Sequence, residues 1–429
     1  MSCLSFEYEW EDPGGAKGDE LRATWSRLQI RVGDTFLTKV EDLKAHSVRS
    51  GIYLPLYPIA EWIATHWWLI FNEVQFPGRG NEADYWSRHN VRFGREGFSF
   101  PDLFLRPNGS SILVEWKPFR TPGQQVVFLE AGRAELDYEE TRIGLSTFLD
   151  GVTARLDSEG VADTLLQDEW RAIRSASRDE AVFCKFAAKL GLDPYNLSDY
   201  ERGRIVEAYE KVHADVREEF FTAADWHHFE SDISWLKEAT NSVNRFTEMR
   251  QRRNSVRPID PLRAPWTEGY RVAREMRQIS GTEDKVLSDY SDIARALGVT
   301  LDDDALVTVD RHPRFDALFT TNGEGNPGFL VASRGRPETS KFAFCRAVFE
   351  YLAYHTSSGL VSRAPSERQK RSRAFAAEFL LPEHMLRSRI KSSTVDEETV
   401  ADLGEEFGVS TLVVQHQMEN HKVATLVRS

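Results

Sequence analysis

Phe100-Pro101-Asp102-Leu103-Phe104-Leu105-Arg106-Pro107-Asn108-Gly109-Ser110-Ser111-Ile112-Leu113-Val114-Glu115-Trp116-Lys117 is the stretch on which the N-terminal fold turns. Two runs of strand formers flank Asn108-Gly109, and Asn-Gly in that setting is the strongest short-range hairpin signal, favouring a two-residue type I′ loop. With Asn108 and Gly109 as the loop, Pro107 pairs with Ser110, and counting outward sets Asp102 directly opposite Glu115. Lys117, two residues beyond Glu115, shares their face because strand side chains alternate. Opposed like charges destabilise a strand pair unless something compensates them. A hard divalent cation, Mg²⁺ or Mn²⁺, takes carboxylate oxygens and would do so. The lysine would then orient a water and stabilise charge developing at phosphorus. These are the parts of a phosphodiester hydrolase, with Asp102, Glu115 and Lys117 as its candidate catalytic residues.

Outward from the hairpin, alternation around Gly33-Asp34 predicts a first hairpin over residues 27–40. Pro58 opens an apolar helix predicted over residues 59–73. Strands are expected over 98–106, 111–119 and 125–129, and a helix over 131–156. This order, together with Pro101-Asp102 followed twelve residues on by Glu115-Trp116-Lys117, resembles the PD-(D/E)XK nuclease superfamily over about residues 55–155. The resemblance implies a further acid on the first helix, Glu73 in preference to Glu61, and the Trp116 carbonyl as an additional metal ligand. Gln124 and Gln125 are its candidate accessory residues. Some members of the superfamily only bind.

Residues 162–256 read as helical throughout, with Gly191 as a helix stop. The basic run from Arg250 to Arg257 and Pro258, Pro261 and Pro265 read as a linker. Beyond it the chain is mostly helical with a β-rich patch over residues 306–333. Over residues 266–429 several stretches resemble the ImmA/IrrE metallopeptidase family: the opening helix 266–277, the helix ending at Gly298, Phe375-Ala376-Ala377 with Pro382, and a helix-turn-helix-like end around Phe407-Gly408-Val409-Ser410. The family's chemistry sits on an HExxH helix, where two histidines one turn apart hold zinc and the glutamate activates water. On the matching helix Arg346 and Glu350 stand where the histidines would be, and Ala347 where the glutamate would be. Gln369 stands at the usual third, acidic ligand. No His-x-x-x-His pair occurs among the eleven histidines. The resemblance therefore implies a pseudo-metallopeptidase without zinc. Arg346 and Glu350, four residues apart, read either as an ion pair replacing the metal or as a solvated helical pair.

Composition bounds the rest. Of 429 residues, 41% are hydrophobic and 28% charged, which is globular and large enough for several domains. The formal net charge of −13 excludes a general nucleic-acid coat but leaves room for a local basic patch. Three scattered cysteines form no disulfide framework or metal knuckle, and no signal peptide or membrane span is read, so a cytoplasmic protein is expected. His227-His228 reads as a helical pair, and the run around Arg368, Lys370 and Arg371 as a solvated face.

The expected fold class is α+β and multidomain: a PD-(D/E)XK-like domain over residues 1–157, a helical connection over 158–257, and a mostly helical, zincin-like pseudo-metallopeptidase domain with a small sheet over 258–429. The expected function is a Mg²⁺- or Mn²⁺-dependent nuclease acting on nucleic acid, DNA before RNA. Its ImmA/IrrE-like domain is expected to sense or to bind a protein partner, in a phage-defence or mobile-element setting. The rivals are a non-enzymatic regulator that keeps both folds, and a peptidase with non-standard ligands.

Overall fold

The structure is a computed structural model that describes residues 3–13, 15–120, 123, 125–300, 307–309, 311–332 and 335–427. It divides into two compact units, one of residues 1–75 with 80–207 and one of residues 76–79 with 208–429. The helical stretch 158–257 is shared between them: its helices up to Lys189 lie in the first unit, those from Ala214 in the second, and Asp199–Lys211 crosses the boundary. The fold is mixed α+β, with several small sheets and many helices. Among the described residues no helix is long and apolar enough to cross a membrane.

In the first unit, Leu4–Trp10 lies antiparallel to Trp25–Val32, which also pairs with Thr35–Phe36 and Ile52–Pro55. Leu28, Ile30 and Val32 turn every second side chain into the core. The return strand expected up to residue 40 ends at Phe36, and Val40–Asp42 joins a separate small sheet with Ser47–Arg49 and Val126–Phe128. The helix expected over 59–73 is two helices, Tyr57–Thr65 and Trp67–Asn72, with the backbone break at His66. Pro58 stands in the first turn, where a missing N–H costs nothing.

The decisive hairpin is present, Asp102–Pro107 against Ser111–Lys117, but its register differs from the expected one. The Asn108 N–H donates to the Ser111 carbonyl (2.8 Å), so the loop is Gly109-Ser110 rather than Asn108-Gly109. Gly109 takes the first loop position with φ 78°, which a primed hairpin turn requires and which costs glycine no steric strain. Asp102 therefore faces Lys117, and Glu115 faces Phe104, instead of Asp102 facing Glu115. A shift of two residues leaves every side chain on its original face, whereas a shift of one would have exchanged the faces. Leu103, Leu105, Ile112, Val114 and Trp116 are buried, and Asp102, Phe104, Arg106, Glu115 and Lys117 share the other face.

The helix expected from residue 131 begins at Tyr138. Gly132–Asp137 is instead a third strand beside Ser111–Lys117, with Gly132 opposite Trp116 and Arg133 opposite Glu115. A side chain at Gly132 would overlap the Trp116 indole, so the pairing requires glycine there. Asp137 ends the strand and caps the helix, its carboxylate accepting from the Glu140 N–H (2.9 Å).

In the second unit, the sheet runs Val307–Val309, Pro327–Ala332, Phe315–Thr321, Ser358–Ser362. Helix Pro337–Ala353 lies on it, with Phe344, Ala347, Val348 and Tyr351 buried in one core with Val272, Met276 and Phe375. Pro265–Ser280 packs closely on Glu367–Leu380 at Gly269, where any Cβ would meet the Arg371 carbonyl. Arg250–Ser255, expected in a linker, is a helix docked within this unit: Arg253 bonds the Tyr354 carbonyl and stacks 4.7 Å from the Tyr351 ring. The terminal pair Glu397–Phe407 and Thr411–Asn420 turns at Gly408 (φ 62°).

Candidate functional site

Asp102, Glu115 and Lys117 come together on the open face of the three-stranded sheet, and arginines hold the two acids. Asp102 Oδ1 accepts from Asn90 Nδ2 (2.7 Å) and Arg92 Nε (2.6 Å). Asn90 is itself fixed, its Oδ1 accepting from the backbone N–H groups of Arg92 and Leu103. Glu115 Oε2 accepts from Arg106 Nη2 (2.9 Å), and its Oε1 stands 2.5 Å from Lys117 Nζ. The Lys117 hydrogen bond, opposed by partial burial and aided by Arg106 and Arg133, holds the Glu115 carboxyl below its ordinary range. Both acids are about one-fifth exposed, and Lys117 is 58% exposed. Charges in that setting interact through partly screened water rather than a dry interior.

Aromatic rings back these cations. Arg92 lies 3.8 Å from the Phe119 ring centroid and 5.0 Å from that of Phe93, and Arg95 lies 4.8 Å from Phe119. Burial and the neighbouring Arg92 charge lower the Arg95 pKa. On the other side Arg106 stacks 4.6 Å from Trp86, whose edge meets Phe104 at 5.1 Å. Trp86 Nε1 donates to Glu82 (3.1 Å), which fixes the indole. None of these partners was singled out from sequence. The signal that was available is the repeated pairing of arginine and phenylalanine in Arg92-Phe93-Gly94-Arg95 and Lys117-Pro118-Phe119-Arg120.

The other expected site residues are placed differently. Glu73 is buried, and its two oxygens are taken by a bidentate Arg88 contact (2.5 and 3.0 Å) and by His89 Nε2 (3.2 Å). Burial pushes its carboxyl up, but the hydrogen bonds from His89 and Arg88 prevail and hold it at about 2. His89 reaches on through Nδ1 to the Leu105 carbonyl (2.7 Å), so Glu73 anchors the hairpin from behind. Glu61 bonds the Tyr57 hydroxyl. The Trp116 side chain is buried in the core, which has no bearing on its carbonyl, the group expected as a ligand. Gln125 is exposed, its carbonyl accepting from the Leu43 N–H, and Gln124 lies outside the described residues.

As ligands for Mg²⁺ or Mn²⁺, Asp102 and Glu115 fit in kind, being hard oxygen donors on one accessible face. Among the described residues no group of three or more acidic, histidine or cysteine side chains is set around one point. A divalent ion would therefore have to take the two carboxylates from Arg92 and Arg106.

In the second unit the four positions matched to a zinc site are deeply buried and mutually supported. Arg346 Nη1 pairs with Asp316 (2.9 Å), Nη2 donates to the Ser362 carbonyl (2.7 Å) and Gln369 Oε1 (2.5 Å), and Nε reaches Ser372 (3.2 Å). Gln369 in turn donates to the Leu360 carbonyl (2.8 Å) and accepts from the Ser362 N–H (3.0 Å). Glu350 pairs with Arg368, the residue read from sequence as solvated. Arg346 and Glu350 are thus not a solvated pair: each is buried and hydrogen-bonded elsewhere, while their opposite charges still act on one another. Burial pulls the Arg346 guanidinium down to about 10 and pushes the Glu350 carboxyl up to about 7 against the pull of Arg368. Glu219 adds a third carboxylate, bonded to Ser362 (2.7 Å) and Ser366 (2.8 Å). Ala347 contributes only packing.

This C-terminal region contains an ImmA/IrrE-like domain. Residues 348–419 match the family model of the IrrE N-terminal-like domain, Peptidase_M78, a span that takes in Glu350, Gln369, the Phe375-Ala376-Ala377 stretch and most of the terminal helix pair. No curated protein matches the chain.

Proposed function

We propose that the first unit is a nucleic-acid-processing domain that hydrolyses phosphodiester bonds with Mg²⁺ or Mn²⁺. In this reading the ImmA/IrrE-like domain is a catalytically silent module for sensing or for docking a protein partner. The observation that carries it is the common open face of Asp102, Glu115 and Lys117, with arginines lying directly against both acids. When bound, the ion would supply Lewis-acid activation of a phosphate oxygen and of a water, held by Asp102 and Glu115. The chain's own groups do the rest. Guanidinium prefers the bidentate geometry of phosphate, so an arriving backbone draws Arg92 and Arg106 off the acids and orients itself. Lys117 supplies positive charge where negative charge develops. Glu73 has no part in this, because Arg88 and His89 occupy both its oxygens. The resemblance of the C-terminal domain suggests a phage-defence or mobile-element setting.

The test is cleavage of plasmid, linear duplex, single-stranded DNA and RNA with Mg²⁺ or Mn²⁺, comparing wild type with Asp102→Asn and Lys117→Ala. Cleavage lost in both variants supports the reading.

A second reading is favoured by the ion pairs themselves: a regulator that binds nucleic acid through this face and never cleaves it. Binding without cleavage under any metal condition would select it. For the second unit, stoichiometric zinc in purified protein would instead revive a peptidase with unusual ligands.

A further inference from the structure

We infer that the hairpin face takes single-stranded nucleic acid in preference to duplex, its bases stacking on two arginine–aromatic platforms that flank the acids. This rests on the proposal that the face handles nucleic acid, and it adds the class of substrate.

One platform is Arg92, Arg95, Phe119 and Phe93, joined to the acids through the bond from Arg92 to Asp102. The other is Arg106, Trp86 and Phe104, joined through the bond from Arg106 to Glu115. Asp102 and Arg106 sit on one strand four residues apart, roughly 13 Å at the usual rise. The platforms therefore lie on either side of the proposed reacting centre rather than on one edge of it. Phe93 is 55% exposed and lies against Arg92, which leaves its ring open to a stacking base.

The chemistry of the surface decides between the two forms of nucleic acid. Arg92, Arg95, Arg106, Lys117 and Arg133 gather around Asp102 and Glu115, while Glu82 stands beside Trp86 and Glu135 two residues along the strand from Arg133. The cations nearest the acids offer a phosphate backbone of either form its contacts. A duplex, however, keeps its base faces stacked on one another and offers an exposed phenyl ring nothing. A single strand offers unpaired bases, and stacking on aromatic and guanidinium planes is worth enough per base to dominate selectivity. A face built for duplex backbone alone would need the cations without the rings.

The experiment is fluorescence anisotropy in EDTA, so that binding is read without cleavage. The probes are a labelled single-stranded DNA of mixed sequence, the same sequence as duplex, and the RNA equivalent. The proteins are full-length wild type, Phe93→Ala and Phe93→Trp, with folding checked by circular dichroism. The single strand is expected to bind at least tenfold tighter than duplex, Phe93→Ala to weaken it by roughly tenfold with an unchanged salt slope, and Phe93→Trp to retain it. Equal or tighter binding of duplex, no binding of any probe, or indifference to Phe93→Ala overturns the inference. Strand selectivity without cleavage in Mg²⁺ defeats only the nuclease reading, and Lys117-dependent cleavage of duplex alone defeats only this inference.

Discussion

The buried Arg346 guanidinium has carboxylate, amide, hydroxyl and carbonyl partners around it, so its positive charge is compensated inside the core. Removing one member of such a set leaves the others desolvated and uncompensated, which is costlier than the set was worth. Arg346→Ala is therefore expected to destabilise the second unit by about 3–5 kcal/mol in urea unfolding. Glu350 makes an opposite kind of statement. Its folded pKa lies near 7, above the ordinary 4.5, so the folded state holds the proton that the unfolded state releases. Its contribution to stability is complete below the ordinary value and is lost as pH rises through about 7. Glu73, held near 2, contributes above its ordinary value and loses that contribution as pH falls. Thermal midpoints from pH 5 to pH 8 should show less decline in Glu350→Gln than in wild type. An unchanged slope would show that Arg368 keeps Glu350 ionised throughout.

Among the elements, the hairpin shows what alternation does and does not encode. Period-two patterning fixed which residues share a face, and that survived a two-residue change of register intact. It did not fix which residues oppose each other, because Asn108-Gly109 and Gly109-Ser110 both make acceptable two-residue loops. Only the Asn108 to Ser111 bond distinguishes them. The arginine that holds Asp102 was illegible for a different reason. Arg92 approaches from the separate turn Val91–Gly94, and no local rule brings that turn onto the hairpin. The third strand was hidden by Ala134, Glu135 and Leu136, which favour helix, and the sheet overrode that preference. Gly132→Val, which forces a branched side chain into the Trp116 indole, is expected to cost about 1–3 kcal/mol, read as a lower urea midpoint. Gly109→Ala should cost less, on the order of 1 kcal/mol, because only a positive φ is at stake.

Across the whole molecule, the C-terminal resemblance was legible because it rests on several ordered stretches, and the family match covers two of them, the Phe375-Ala376-Ala377 stretch and most of the terminal helix pair. The N-terminal resemblance rests on one short motif and the order of the elements around it, so the function assigned to it stands on the chemistry of the face. The charge distribution follows the same division. A chain of net charge −13 concentrates arginines around two acids on one sheet face, an arrangement suited to phosphate. The most direct measurement is cleavage of single-stranded DNA with Mn²⁺ by wild type and by Lys117→Ala at matched folding. Product is expected from wild type and at least a hundredfold less from the variant, the order expected when a transition-state charge partner is removed. Equal cleavage by both, or none by wild type while the strand binds tightly, would contradict the nuclease reading.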